Sequence, residues 1–301
     1  MDSIVTITTI ESMVSINSKT MKIIEPKVEL WSEENISSES HIAHCARVCY
    51  GKEYKEPNQE ADKKMVDGLI KRGHLSMLRH NSSIYIFNRL KDVAQYINAS
   101  AYWNNNRYYG YASTNLQEFR SIEYIFENHA DDNCTEFINN KLFLEKCSKV
   151  SELFKLYRLT FCITTQISTS RELNRVSPNN IAERSTRYCS YKDELEICKP
   201  WWYDENTLAH GMYKVNMEYL EMAYKYLLCA GMEPEDARGI LPLDTATKVI
   251  YTYSIQEWQH ILDLRLYDKT GKAHPNCKVI MAMVRDQINA FAKAHNIDYE
   301  V

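Results

Sequence analysis

Apolar residues recur along the chain in two periods, and the period decides the element. Alternation over Lys27 to Trp31 predicts a short strand, and Ser82 to Leu90, with Ile84 and Ile86 set against Tyr85 and Phe87, predicts another. Phe161 to Ser168, rich in Ile and Thr, is a third strand candidate. Helical spacing governs Ser37 to Tyr50, where Ile42, Cys45, Ala46 and Cys49 share one face. A second helix opens at Pro57, runs to Arg72 with Met65, Leu69 and Ile70 as its stripe, and stops on Gly73. His210 to Ala230 forms a long helix closed by Gly231, after which Met232-Glu-Pro234 turns the chain. A last helix, Cys277 to Lys293, carries Ile280, Met283, Val284, Ile288 and Phe291.

Residues 93–160 read as helical with a polar break at 128–133, and the Asn- and Tyr-rich stretch 98–111 reads as a solvated connection within them. Leu243 to Tyr253 mixes Thr, Val, Ile and Tyr, which leaves strand and helix both open. There is no internal repeat and no low-complexity linker. Few strands among many helices predict an α+β fold: one compact domain over 21–301, a small mixed sheet surrounded by helices. Residues 1–20, rich in Thr, Ser and Ile, read as a flexible N-terminal extension.

Composition narrows the partners. Of 301 residues 45% are hydrophobic, enough for a sizeable core. Net charge is -4, from 36 basic and 40 acidic residues mixed along the chain, so duplex nucleic acid is not an expected partner. An anionic ligand must then be met by a few placed arginines. No apolar run approaches the roughly 20 residues of a membrane span, and the early acidic residues do not suit a secretory signal. Nine scattered cysteines suit free thiols in a reducing cytoplasm. Cys45 and Cys49 stand one turn apart without a second pair at ligand spacing, so they read as buried small residues and no metal site is expected.

Chemistry concentrates after the Phe161 strand. Glu172, Arg175, Glu183, Arg184, Ser185, Arg187 and Tyr188 place seven charged or hydroxyl groups within 17 residues. Arginine offers a planar fork of donors that matches phosphate oxygens. Taken alone, the spacing favours a solvated helix face of Glu–Arg pairs, since most charge clusters are structural.

The run Glu183-Arg-Ser-Thr-Arg-Tyr188, with Cys189 and Tyr191, resembles the second half of the signature of flavin-dependent thymidylate synthases. Further stretches follow in that family's order: Gly73-His-Leu-Ser-Met-Leu-Arg-His80, Ala237-Arg-Gly-Ile-Leu-Pro242, Glu257-Trp-Gln-His-Ile-Leu-Asp-Leu-Arg265 and Ala273-His-Pro275. Lys199-Pro-Trp-Trp202 and Ala46-Arg-Val-Cys-Tyr50 are also similar, so the likeness spans roughly residues 21 to 295. By that resemblance, Arg187 grips the phosphate of dUMP, with Ser185 beside it. Glu172 and Glu183 meet substrate, and Arg238 and Arg265 complete phosphate and uracil recognition. Arg265 and Ser185 are the catalytic candidates. Ser185 serves by positioning, since no His–Asp pair accompanies it as for a nucleophile. His80 and Arg175 stand at the flavin.

The resemblance implies one-carbon transfer to carbon 5 of a pyrimidine deoxynucleotide, dUMP to dTMP, by a homotetramer with shared active sites. FAD, methylenetetrahydrofolate as carbon donor and NADPH as reductant are the cofactors it implies. One segment departs from the pattern. Where the family has His-Arg, two variable residues and Ser, this chain has Val176, Ser177, Pro178, Asn179 and Asn180. Val176 has no donor, and Ser177 replaces a permanent cation. Each charge-assisted hydrogen bond lost costs on the order of 1.5–3 kcal/mol, so two losses weaken an anionic cofactor about a hundredfold or more. Two alternatives therefore stand beside the flavin enzyme: a flavin-independent hydroxymethylase of the same fold, and a non-catalytic nucleotide-binding relative.

Overall fold

The computed structural model describes residues 21–34, 36–52, 56, 58–87, 100–103, 110–115, 117, 134–177 and 180–301; the predicted extension at 1–20 lies outside them. The chain begins with β1 (Lys22–Ile24), β2 (Lys27–Trp31), α1 (Ser38–Cys49) and α2 (Gln59–Lys71). There follow β3 (Ser83–Phe87), β4 (Ser100–Trp103), β5 (Gly110–Thr114), β6 (Cys134–Ile138) and α3 (Asn140–Cys147). The middle holds β7 (Arg158–Gln166), α4 (Ile167–Asn174), β8 (Ile181–Glu183), β9 (Glu196–Cys198) and α5 (Leu208–Cys229). The chain closes with α6 (Pro234–Ala237), β10 (Ala246–Ser254), α7 (Ile255–Arg265) and α8 (Pro275–Ala294).

β7 and β10 form the spine, antiparallel over nine register pairs from Ala246 opposite Gln166 to Ser254 opposite Arg158. β2 extends the sheet beside β7, and β8 extends it beside β10, giving the order β2-β7-β10-β8. Both faces are covered, so β7 is buried along its whole length. Strand alternation sorts its residues. Phe161 and Ile163 join Val249 and Tyr251 against Trp258 of α7 and Ile280 and Val284 of α8. Cys162 and Ile250 face the other way, onto Cys45 and Val48 of α1.

The α+β reading holds, and its single small mixed sheet resolves into three small sheets. The central one is antiparallel, a second antiparallel sheet orders β4-β5-β3-β6, and β1 pairs parallel with β9. The helical reading of 93–160 is corrected: β4, β5 and β6 lie inside it, and its described helical part is α3 with a 3-10 turn at Ser151–Leu156. These segments are rich in aromatic and β-branched residues, which suit strands, and the ladder they join, β5 and β6 on β3 with β4 on β5, is what local propensity cannot foresee. The open reading of 243–253 resolves as β10, paired on both edges. The strand predicted to run to Ser168 ends at Gln166, whose extended backbone caps α4. Gly73 and Gly231 close their helices with φ of +72° and +91°, the left-handed stop that glycine allows.

Candidate nucleotide site

The turn after β8 is held from beneath. Arg184 N–H donates to Lys248 O of β10 at 2.8 Å, and Ser185 N–H donates to Cys49 O at the end of α1, 3.1 Å. Gly51 (φ +62°) lies so close that a Cβ there would stand 2.8 Å from Cys189 Sγ. The loop after α1 is therefore pressed against this turn. Ser185 Oγ accepts from Arg187 N–H at 3.2 Å, and Ser185 O accepts from Cys189 N–H. Ser185 thus orders the backbone of the turn that carries Arg187.

Arg187 and Arg238 come together from segments 51 residues apart. Arg187 donates through Nε (3.0 Å) and Nη2 (2.9 Å) to Glu235 Oε2, and its guanidinium lies 5.6 Å from the Tyr188 ring centre. Arg238 donates from Nη1 to Thr186 Oγ1 at 2.9 Å and from Nε to Glu235 O at 3.0 Å. Both arginines are exposed. The result is a surface pair of cations that share Glu235, Arg187 through its carboxylate and Arg238 through its backbone carbonyl. Glu235 and Thr186 were not among the predicted residues. Their only sequence signal was proximity: Glu235 opens the short α6 turn that delivers Arg238, and Thr186 sits inside the matched run.

Glu172 and Arg265 form a second group. Arg265 Nε lies 3.7 Å from Glu172 Oε1, and Glu172 also accepts from His274 N–H at 3.3 Å. Arg265 Nε is buried without a hydrogen bond, so this guanidinium keeps unspent donor capacity. Glu183 is turned inward. Its Oε1 takes the hydroxyls of Ser170 (2.7 Å) and Thr247 (3.2 Å), and its Oε2 takes Asn174 Nδ2 (3.4 Å), tying α4 to the sheet. Trp201 and Asn276 line a separate groove of about 140 Å³ with Glu25, Gln166 and Lys199, and none of the predicted residues borders it.

The flavin-side residues do not converge on an open surface. His80 is fully buried, and its Nδ1 meets the Thr252 hydroxyl at 2.9 Å. Thr252 in turn meets Thr160 (2.7 Å), and Thr160 meets His41 Nε2 (3.1 Å), a polar chain across the α1 face of the sheet. Burial, with His41 and Arg158 nearby, pushes the His80 pKa down to about 3. Val176 packs against the main core, Ser177 bonds the Tyr253 hydroxyl, and buried Asn180 donates to Thr252 O at 3.0 Å. Pro178 and Asn179 lie outside the described residues. Arg175, at the C-terminal cap of α4, is the exposed member of the set. Val176, Ser177 and Asn180 are thus engaged by the protein's own fold, and Arg175 alone of the described segment offers an exposed cation.

Residues 101–292 match the family described as thymidylate synthase complementing protein. That span contains all the predicted nucleotide residues and leaves out His80. Among curated proteins, the chain is 34% identical over 64 residues to a flavin-dependent thymidylate synthase of Halobacterium salinarum, covering 21% of this chain and 26% of that one. It is 28% identical over 126 residues to one from Thermococcus onnurineus, covering 42% and 45%. The matches thus span less than half the length of these relatives. Among solved structures, it is similar to a UMP/dUMP methylase, PolB, from Streptomyces cacaoi bound with 5-Br UMP, at 17% identity and a TM-score of 0.40 over 92% of this chain and 95% of that one. With nearly two thirds of its residues matched by one family, this chain belongs to the thymidylate synthase complementing proteins.

Proposed function

We propose that residues 21–301 act as one catalytic domain that transfers a one-carbon unit to carbon 5 of a pyrimidine deoxynucleotide, dUMP being the substrate and methylenetetrahydrofolate the donor. The observation that carries this reading is the meeting of Arg187 and Arg238 around Glu235. Two forks of fixed donors, brought from separate segments, are suited to a phosphate. At Arg187 the Glu235 carboxylate takes both donors, a chemical stand-in for a phosphate oxygen. Arg265, with spare donors beside Glu172, is suited to the uracil carbonyls, where it would polarise the ring for attack by carbon 5. No hydrogen bond or ion pair among the described residues joins this group to the arginine pair. A homotetramer whose sites are shared between subunits, as the family resemblance implies, would unite them.

The fate of the transferred carbon divides two readings. Flavin with NADPH would complete a methyl group and give dTMP. The inward-turned Val176, Ser177 and Asn180 favour the other: the bridge from carbon 5 to folate loses the carbon 5 proton and expels tetrahydrofolate, and water adds to the exocyclic methylene left on the ring, giving the hydroxymethyl nucleotide. That addition needs no reductant. The protein, incubated with dUMP and methylenetetrahydrofolate with and without FAD and NADPH, should return a nucleotide heavier by one hydroxymethyl or one methyl group. No mass gain under any mixture, with dUMP still bound, would leave a non-catalytic nucleotide-binding protein and sink the enzymatic reading.

A further inference from the structure

Helix α5 is apolar on two faces, and its own chain covers one of them. Tyr213, Met217, Tyr224 and Leu228 pack with Tyr191, Leu195 and Ile197. The Glu221 carboxylate, 4% exposed, accepts the backbone N–H groups of Met21 and Leu195 at 2.9 Å each, which fixes the helix's rotation. The opposite face carries Leu208, Met212, Val215, Tyr219, Met222 and Tyr226, and none of the six is less than 59% exposed. Their steps of four and three repeat through the helix, and at 1.5 Å per residue they make a strip about 27 Å long. A solvent-facing helix side is ordinarily polar. An unbroken four-three stripe is the seam of a helix pair.

We propose that this stripe is a self-association surface on which α5 of a second copy of this chain packs antiparallel. The flanking residues choose the partner and the direction. One flank carries Gly211, Glu218 and Lys225, the other Ala209, Asn216 and Ala223. With the two-fold axis between Leu220 and Glu221, Tyr219 meets the partner's Met222, and Val215 meets the partner's Tyr226. The same register sets Glu218 opposite the partner's Lys225 on both sides of the axis. A parallel pair sets Glu218 opposite Ala223 and forms neither ion pair. Lys225 already lies 3.1 Å from Glu221 of its own helix, and an ammonium with three donors serves both carboxylates. The small flanking residues let the two backbones approach. This inference rests on the oligomeric part of the function proposed above and takes nothing from its chemistry.

Sedimentation of the full chain, with circular dichroism for folding and calorimetry for dUMP, tests it. Wild type should sediment as an oligomer, and Met222→Lys should at least halve its stoichiometry at unchanged helicity; Tyr219→Glu is the second variant should Met222→Lys not fold. Glu218→Lys should weaken association by about tenfold at low salt and less at high salt, because two ion pairs become repulsions. A monomeric wild type at high micromolar concentration overturns the proposal, since another occupant then covers the stripe. An oligomer unmoved by Met222→Lys overturns the stripe and leaves the assembly. Indifference to Glu218→Lys overturns the antiparallel register. Dissociation with dUMP affinity intact upholds the stripe and removes the shared site.

Discussion

The Arg187 guanidinium holds Glu235 through two nitrogens, Nε at 3.0 Å and Nη2 at 2.9 Å, both on carboxylate Oε2. On the proposed function these are donors a phosphate would use, with Arg238 bonded alongside to Thr186. Glu235→Gln removes the competing charge and should tighten dUMP binding several-fold in calorimetry. Arg187→Ala should weaken it by on the order of 10–100-fold, the worth of one or two charge-assisted hydrogen bonds. The pair is half exposed, so neither change should move the melting temperature by more than about 2–4 °C. Unchanged affinity in both variants would remove the phosphate site from this surface.

Arg265 offers a second measurement. Its Nε is buried without a hydrogen bond, 3.7 Å from Glu172, so the planar fork is the property at stake and charge alone is not. Arg265→Lys keeps the charge and loses the fork, and should lower kcat/KM by on the order of 10–100-fold with dUMP as substrate. Steady-state kinetics decide this, and near-wild-type turnover would assign Arg265 to the fold alone.

The segment after Arg175 makes the flavin question a question about the core. Ser177→Arg exchanges a hydroxyl bonded to buried Tyr253 for a guanidinium, and Val176→His places a polar ring against the main cluster. Each should destabilise the fold by about 1–3 kcal/mol in urea denaturation, and the pair together should not confer flavin absorbance. A wild-type protein that purifies yellow would show that the wall is completed elsewhere, and this expectation would fail.

Much of the fold was legible because period and punctuation agree in it. α1, α2, α5 and α8 each carry a stripe at helical spacing, and Gly73 and Gly231 mark two of the ends. β4, β5 and β6 were not legible, since such short strands take their identity from the ladder they join, which for β5 and β6 is anchored on the distant β3. α7 escaped as well. Its start is a capping box in which Ser254 Oγ accepts from Glu257 N–H and Glu257 accepts from Ser254 N–H, but β10 runs directly into it without a turn residue. At the site, the matched motif named Arg187, Arg238 and Arg265 together with Glu172, whereas Glu235 and Thr186, the partners of the first two, follow from how α6 docks. Direction was the least legible property. Glu183 and His80 stand in motif positions, yet they face the interior, and only the packing of α4 and α1 against the sheet reveals it.

His80 gives the last prediction, and its sign follows from burial. Enclosure, with His41 and Arg158 close by, holds its pKa at about 3, against the ordinary 6.5 that it regains in the unfolded chain. Between those values the unfolded chain binds a proton that the folded one refuses, so folding weakens as pH falls from about 6.5 toward 3 and is indifferent to this group above that range. One histidine contributes a slope of at most about 1.4 kcal/mol per pH unit. His41, buried on the same polar chain, is lowered by burial against the opposing pull of Glu33 and adds a slope of the same sign. His44, stacked on Trp31 at 3.6 Å and pushed to about 4 chiefly by burial, adds another. His80→Gln keeps an amide that can bond Thr252 but does not titrate. Urea midpoints taken between pH 4 and pH 6.5, in steps of about half a unit, should therefore fall less steeply for His80→Gln than for wild type, by close to one proton. Parallel curves for the two proteins would mean that His80 takes up its proton without unfolding, and that the Thr252–Thr160–His41 chain opens to water in the native state.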